Sequence, residues 1–98
     1  MSAKANQTER CLRIVELLAG HEFEGVTNGQ LAEALAVAPS YITRDLALLR
    51  ERGWAEEIPE VQGRWRLAPR PIRLLVAYAD SMSRREQQIA DLKNRYGG

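Results

Sequence analysis

The stretch from Thr27 to Gly53, TNGQLAEALAVAPSYITRDLALLRERG, constrains the chain more than any other. Thr27 suits a helix N-cap, and Gln30 stands three residues on, where a reciprocal capping partner belongs. Val26, Leu31, Ala34 and Leu35 then recur at helical spacing. Ala36, Val37 and Ala38 make a tight turn. Pro39 fits the first position of a second helix, where its missing N–H costs nothing. Ile42, Leu46 and Leu49, with Leu48 beside them, form that helix's apolar stripe, and Gly53 after Arg50 and Arg52 caps its end. The spacing predicts a helix-turn-helix whose second helix turns Ser40, Tyr41, Thr43, Arg44 and Ala47 away from the stripe.

At 98 residues the chain holds one domain with room for an appended helix, and 45% apolar residues suffices for a small core. No apolar run is long enough to cross a bilayer, and no signal-peptide pattern opens the chain. Cys11 is the only cysteine, so an internal disulfide and a multi-thiolate metal site are both excluded, and a reducing cytoplasm fits. A net charge of +1 is not that of a protein that coats nucleic acid non-specifically. A nucleic-acid role has to rest on local arginine clusters.

Residues 1–7 are small and polar and read as a flexible terminus. An arm reaching a DNA groove is the sharper alternative, although Lys4 is its only cation. Thr8 to Ala19 reads as a first helix with Cys11, Ile14, Val15 and Leu18 on one face, flanked by Leu12 and Leu17; Gly20 ends it. Cys11 is expected in the core, not as a reactive thiol, and His21 on the surface. Phe23, in the acidic loop from Gly20 to Gly25, is expected to tuck under the helices.

After the helix-turn-helix, Trp54 to Pro59 and Arg64 to Leu67 read as the two strands of a short hairpin around a turn at Glu60–Gly63. Alternation puts Trp65 and Leu67 inward and Arg64 and Arg66 outward. Such a hairpin is marginal alone, so Trp54, Trp65 and Leu67 are expected to pack on the helices and not to serve as base-stacking platforms. A hairpin in this place is a wing.

Ala68 to Pro71 (APRP) reads as a stiff corner dividing a winged domain at 8–70 from a C-terminal segment at 71–98. From Ile72 to about Arg95 there is no proline or glycine, and one long helix is expected. Leu75, Met82, Ile89 and Tyr96 are spaced by seven, and Tyr78 and Leu92 fall on the three-residue offset that Arg85 interrupts. Its first half is apolar enough to pack on the winged domain. Its second half is either a solvated tail or, the reading preferred here, a dimer seam on Leu75, Met82, Ile89 and Leu92, since a lone polar helix has nothing else to stabilise it. The expected fold is therefore mainly α with a small β-hairpin: a winged helix-turn-helix plus a long C-terminal helix.

The segments CLRIVELLAG, VTNGQLAEALAVAPSYITRDLALLRERGWAEE and GRWRLAPR resemble the N-terminal DNA-binding domain of IclR-type bacterial transcriptional regulators, over roughly Thr8 to Arg70. In that family a serine–threonine pair opens the recognition helix, followed by an apolar residue, a polar one and an arginine. Here those places hold Ser40, Tyr41, Ile42, Thr43 and Arg44. The ERG–aromatic step and RYRL-like wing strand are matched by Glu51 to Trp54 and Arg64 to Leu67. Tyr41 departs from the pattern, and Asp45 stands where the family usually has leucine. With no cation three or four residues away, Asp45 is expected near phosphates, where it weakens binding, or on a cytosine amino group. The resemblance implies double-stranded DNA as partner and a homodimer. The family's effector domain has no counterpart in this sequence, so no small-molecule sensing is expected, and a phage or mobile-element regulator is one context that fits.

No chemistry competes with this. There is no glycine-rich phosphate loop, no paired histidines and no zinc spacing. Ser40, Ser81 and Ser83 have only His21 anywhere as a base. Glu56, Glu57 and Glu60 are read as a solubility or anti-DNA cluster beside the wing. The expectation is a cytoplasmic DNA-binding regulator, neither enzyme nor cofactor protein, with no membrane partner. Ser40, Tyr41, Thr43 and Arg44 face the major groove, and Gln62, Arg64 and Arg66 grip the backbone or minor groove. Two rivals stay open: a winged helix used as a protein-interaction module, which the near-neutral charge suits, and an assembly or inhibitor protein whose long helix does the work.

Overall fold

The first two helices begin at side-chain caps that their sequences provide. In the computed structural model, which describes residues 6–97, α1 (Gln7–Leu18) opens on Asn6, whose side chain accepts from the Glu9 amide at 2.8 Å. The helix thus starts one residue before the expected Thr8, and the expected flexible terminus does not extend to Asn6 and Gln7; the proposed arm around Lys4 lies outside the described residues. Strand β1 (Val26–Thr27) leads directly into α2 (Asn28–Leu35). There Thr27 and Gln30 form the capping box in full: the Gln30 amide donates to Thr27 Oγ1 at 3.1 Å and the Thr27 amide to Gln30 Oε1 at 2.9 Å.

Helix α2 stops at Ala36, which sits in the left-handed region at φ 57°. The amides of Ala36 and Val37 turn back to the carbonyls of Glu33 and Ala32. Helix α3 (Pro39–Glu51) carries Pro39 in its first turn and no side-chain cap. It ends in the same kind of paired bond, Gly53 N to Arg50 O at 3.0 Å and Trp54 N to Leu49 O at 2.7 Å, with Gly53 at φ +79°. Ile14, Leu18, Leu31, Ala32, Leu35, Ile42, Leu46, Leu49 and Ala55 form the buried core, and Trp54, Trp65 and Leu67 pack against it as their phases predicted.

The wing is larger than a hairpin. Strands β2 (Ala55–Glu57) and β3 (Arg64–Leu67) pair antiparallel, and β1 adds to the other side of β3, giving the order β1-β3-β2 with Val26 opposite Trp65 and Glu56 opposite Arg66. A two-residue strand has no periodicity to read, which is why β1 escaped the sequence. The third strand covers one edge of an otherwise marginal ribbon.

Phe23 does not tuck in; it is 92% exposed. The loop closes on its own polar groups: Gly25 N bonds His21 O at 2.9 Å, His21 Nδ1 meets Glu24 at 2.6 Å, and Glu22 accepts from the Gly20 amide at 2.9 Å. That closure leaves Phe23 at the apex. Gly25 is pinned from the inside, since a Cβ there would lie 2.8 Å from both Arg64 Cβ and Ile58 Cδ1.

Helix α4 (Pro69–Gly97) corrects two expectations. APRP is no corner: Pro69 and Pro71 occupy the first turn of the helix, where no N–H is required. Nor does the first half of α4 pack on the winged domain. Pro71 is buried, and every described residue from Ile72 onward is exposed.

Candidate nucleic-acid interface

The stripe of α3 decides what its other face shows. With Ile42, Leu46 and Leu49 buried, Ser40, Thr43, Arg44 and Ala47 emerge exposed on the opposite side and Tyr41 half-buried at its margin. The Thr43 hydroxyl donates to the Pro39 carbonyl at 3.2 Å and accepts from Asn28 Nδ2 at 2.8 Å. Asn28, the first residue of α2, therefore braces the outward face of α3. No periodicity marks it, because its role depends on how the two helices cross.

Tyr41 is held by two arginines. The guanidinium carbon of Arg44, one turn later in α3, lies 5.4 Å from the ring centroid, and that of Arg10, from α1, lies 4.8 Å away. Arg10 in turn grips Asp45 through two bonds, Nε to Oδ2 at 2.6 Å and Nη2 to Oδ1 at 3.0 Å, while Gln7 Nε2 donates to Oδ1 at 3.2 Å. Asp45 is 0% exposed and Arg10 9%. The hydrogen bonding of Arg10 to Asp45 outweighs desolvation and raises the Arg10 pKa above its ordinary value. Asp45 thus faces neither phosphates nor a base; its partner comes from another helix. Both residues signalled this in the sequence. Asp45 falls on the Ile42/Leu46/Leu49 stripe and Arg10 one turn before Ile14, so each charge lies in an apolar phase and needs the other.

The wing cations are engaged by the sheet and the loop beside it. Arg66 Nε meets Glu56 Oε2 across the strands at 2.8 Å, and Arg64 Nη1 donates to the Glu24 carbonyl at 3.3 Å. Gln62 is exposed in the turn before β3. Arg50 lies over the Trp65 ring at 4.7 Å and pairs with Glu57 at 2.7 Å. Glu57 also accepts from the Gly63 amide at 2.9 Å, and these contacts, the Gly63 bond first, hold its carboxyl below the usual range. Glu56 and Glu57 are thus partners of Arg66 in the wing and Arg50 in α3, not a free acidic cluster; Glu60 is exposed in the turn.

Away from this face, Cys11, Leu12, Val15, Leu48, Leu49 and Trp54 line a groove of about 410 Å³ between α1 and the end of α3. Cys11 is half-buried against the core rather than inside it, and burial pushes its thiol up. Among the described residues no group of histidine, cysteine and carboxylate side chains could hold a metal ion, and no helix is long and apolar enough to cross a membrane.

A family model of the IclR helix-turn-helix domain matches residues 7–59. The chain belongs to the IclR helix-turn-helix family. An IclR transcriptional regulator from Alicyclobacillus acidocaldarius is similar in structure, with TM-score 0.66 and 26% identity over 79% of this chain. The chain spans 30% of that regulator's length. ZitR of Lactococcus lactis, in complex with DNA, shares the fold at TM-score 0.54 and 21% identity, over 98% of this chain and 65% of that one. A GntR family transcriptional regulator from Listeria monocytogenes does so at TM-score 0.54 and 17% identity, over 99% and 87%. No curated protein sequence matches the chain. The family is one of DNA-binding regulators, not of enzymes.

Proposed function

We propose that this IclR-family chain regulates transcription by binding double-stranded DNA as a homodimer that reads an inverted repeat. The observation that carries the reading is the exposed N-terminal face of α3, where Ser40, Thr43 and Arg44 stand opposite a fully buried stripe in a domain of matched family. Such a face is shaped for the major groove, with Tyr41 at its margin. Arg44 supplies the fork for a guanine or a phosphate. Gln62, Arg64 and Arg66 are the wing's contacts to the backbone or minor groove. ZitR, whose structure is in complex with DNA, lends the fold precedent. The exposed stripe of Leu75, Met82, Ile89 and Leu92 is the proposed dimer seam.

Arg44→Ala tests the core of the reading. A duplex is first selected from random sequence with the unmutated protein. The variant should keep its circular dichroism and lose roughly 1–3 kcal/mol of discrimination for that duplex. Equal affinity at equal helicity would take Arg44 out of the interface. A protein that enriches no duplex at all would favour the protein-interaction reading instead.

A further inference from the structure

We propose that Arg10, held by Asp45, is a positioning residue for DNA recognition: it fixes the Tyr41 ring, and through it Arg44, at the entrance of the recognition helix. The proposal rests on the DNA-binding reading above and names a determinant of its specificity outside the helix-turn-helix.

Stability alone does not account for the pair. Burying a carboxylate and a guanidinium costs several kcal/mol per ion, and well-packed apolar side chains at such sites are often as stable or more so. A leucine at position 45 would simply complete the Ile42, Leu46 and Leu49 stripe. What the ion pair provides and leucine does not is a planar cation, fixed in place, beneath an aromatic ring. Both bonds of the Arg10 fork to Asp45 lock the plane, and Gln7 donates to Oδ1, the oxygen that also accepts from Arg10 Nη2. The guanidinium carbon then lies 4.8 Å from the Tyr41 centroid, and the Arg44 guanidinium shares that ring at 5.4 Å. Asp45 cancels the Arg10 charge locally, so the arrangement presents an oriented ring and one outward cation. Tyr41 has few rotatable bonds, and a ring held in advance loses little freedom when DNA arrives.

The test uses the full chain and the duplex selected with it. Arg10→Met combined with Asp45→Leu removes one charge of each sign, so the formal net charge stays at +1. The melting temperature should hold or rise, and non-specific binding and its salt slope should not change. The ratio of specific to non-specific affinity should fall by about tenfold, the loss expected for a partly desolvated cation–ring contact. Tyr41→Leu alone should cost a similar factor, and adding it to the double variant should cost nothing further. That non-additivity is a result a purely structural pair would not produce. Unchanged discrimination in a folded double variant, or additive losses, overturns the proposal. If the double variant does not fold, Arg10→Lys keeps the charge but not the plane; a folded lysine variant with full discrimination overturns it equally. Failure of the unmutated protein to enrich any duplex would instead remove the DNA reading itself, and this positioning role with it.

Discussion

Ala36 shows how a single residue marks its own strain. It holds φ 57° at the close of α2, a conformation that glycine adopts without the Cβ penalty of roughly 1–2 kcal/mol. It is exposed and makes the turn into α3 through backbone bonds alone. Ala36→Gly should therefore raise stability by about 1 kcal/mol, read as a higher urea midpoint at unchanged slope, and leave DNA affinity alone. An unchanged or lower midpoint would mean the strain is relieved by neighbours. At this scale the sequence was legible where chemistry is local, as at Thr27, Gln30, Pro39 and Gly53. It was misleading where a side chain's partner lies far along the chain. The helix of Asp45 offers it no cation, which points it toward DNA, while its actual partner Arg10 is 35 positions away. Hydrophobicity alone puts Phe23 inside, but the polar bonds of its loop hold it out.

Among the elements, the wing is where the proposed DNA contacts and internal pairing call on the same arginines. Arg66 has to leave or share Glu56 to reach a phosphate. Glu56→Gln should accordingly strengthen binding at low salt, and raise the slope of log affinity against log salt by up to about one phosphate contact. The double variant Arg64→Ala, Arg66→Ala should lower that slope; a parental slope in both experiments would take the wing off the DNA. The wing also carries a pH signature. The Glu57 carboxyl is held low by the Gly63 amide and Arg50, so its contribution to the fold is present above the ordinary glutamate value of about 4.3 and is lost as pH falls through the lower folded value. Glu57 carboxyl shifts in NMR should titrate below that ordinary value, and Arg50→Gln should move the midpoint back up. Strand β3 is readable from the alternation of Arg64 to Leu67, and so is the inward phase of Trp65 and Leu67, whereas of the segment from Trp54 to Pro59 only Ala55–Glu57 is strand. The third strand is not, since two residues, one of them the cap of a helix, carry no strand signal.

For the whole molecule the open question is what covers α4. Its 29 residues span about 43 Å at 1.5 Å per residue, within overall extents of 62 × 39 × 20 Å. The uninterrupted run after Pro71 marks the helix but not where it points, and packing of its first half on the winged domain is not what the structure shows: Ile72 and Leu75 are 42% and 65% exposed, with Met82, Ile89 and Leu92 exposed further along. A helix this polar and this uncovered gains little from propensity alone. Pairing with a second copy would bury the stripe and leave Arg84, Arg85, Glu86, Asp91 and Lys93 beside the seam. The functional consequence is geometric. Two recognition helices about 34 Å apart can read half-sites one helical turn apart, and a two-fold axis in the protein requires one in the operator. Replacing Ile89 and Leu92 with aspartate should then give monomers by sedimentation, with residues of the winged domain still folded by their amide spectrum. It should also cost most of the affinity for an inverted repeat while leaving that for a single half-site. An unmutated protein that sediments as a monomer at tens of micromolar, the range of weak protein–protein affinity, would end the dimer reading and leave α4 as a docking segment for another protein.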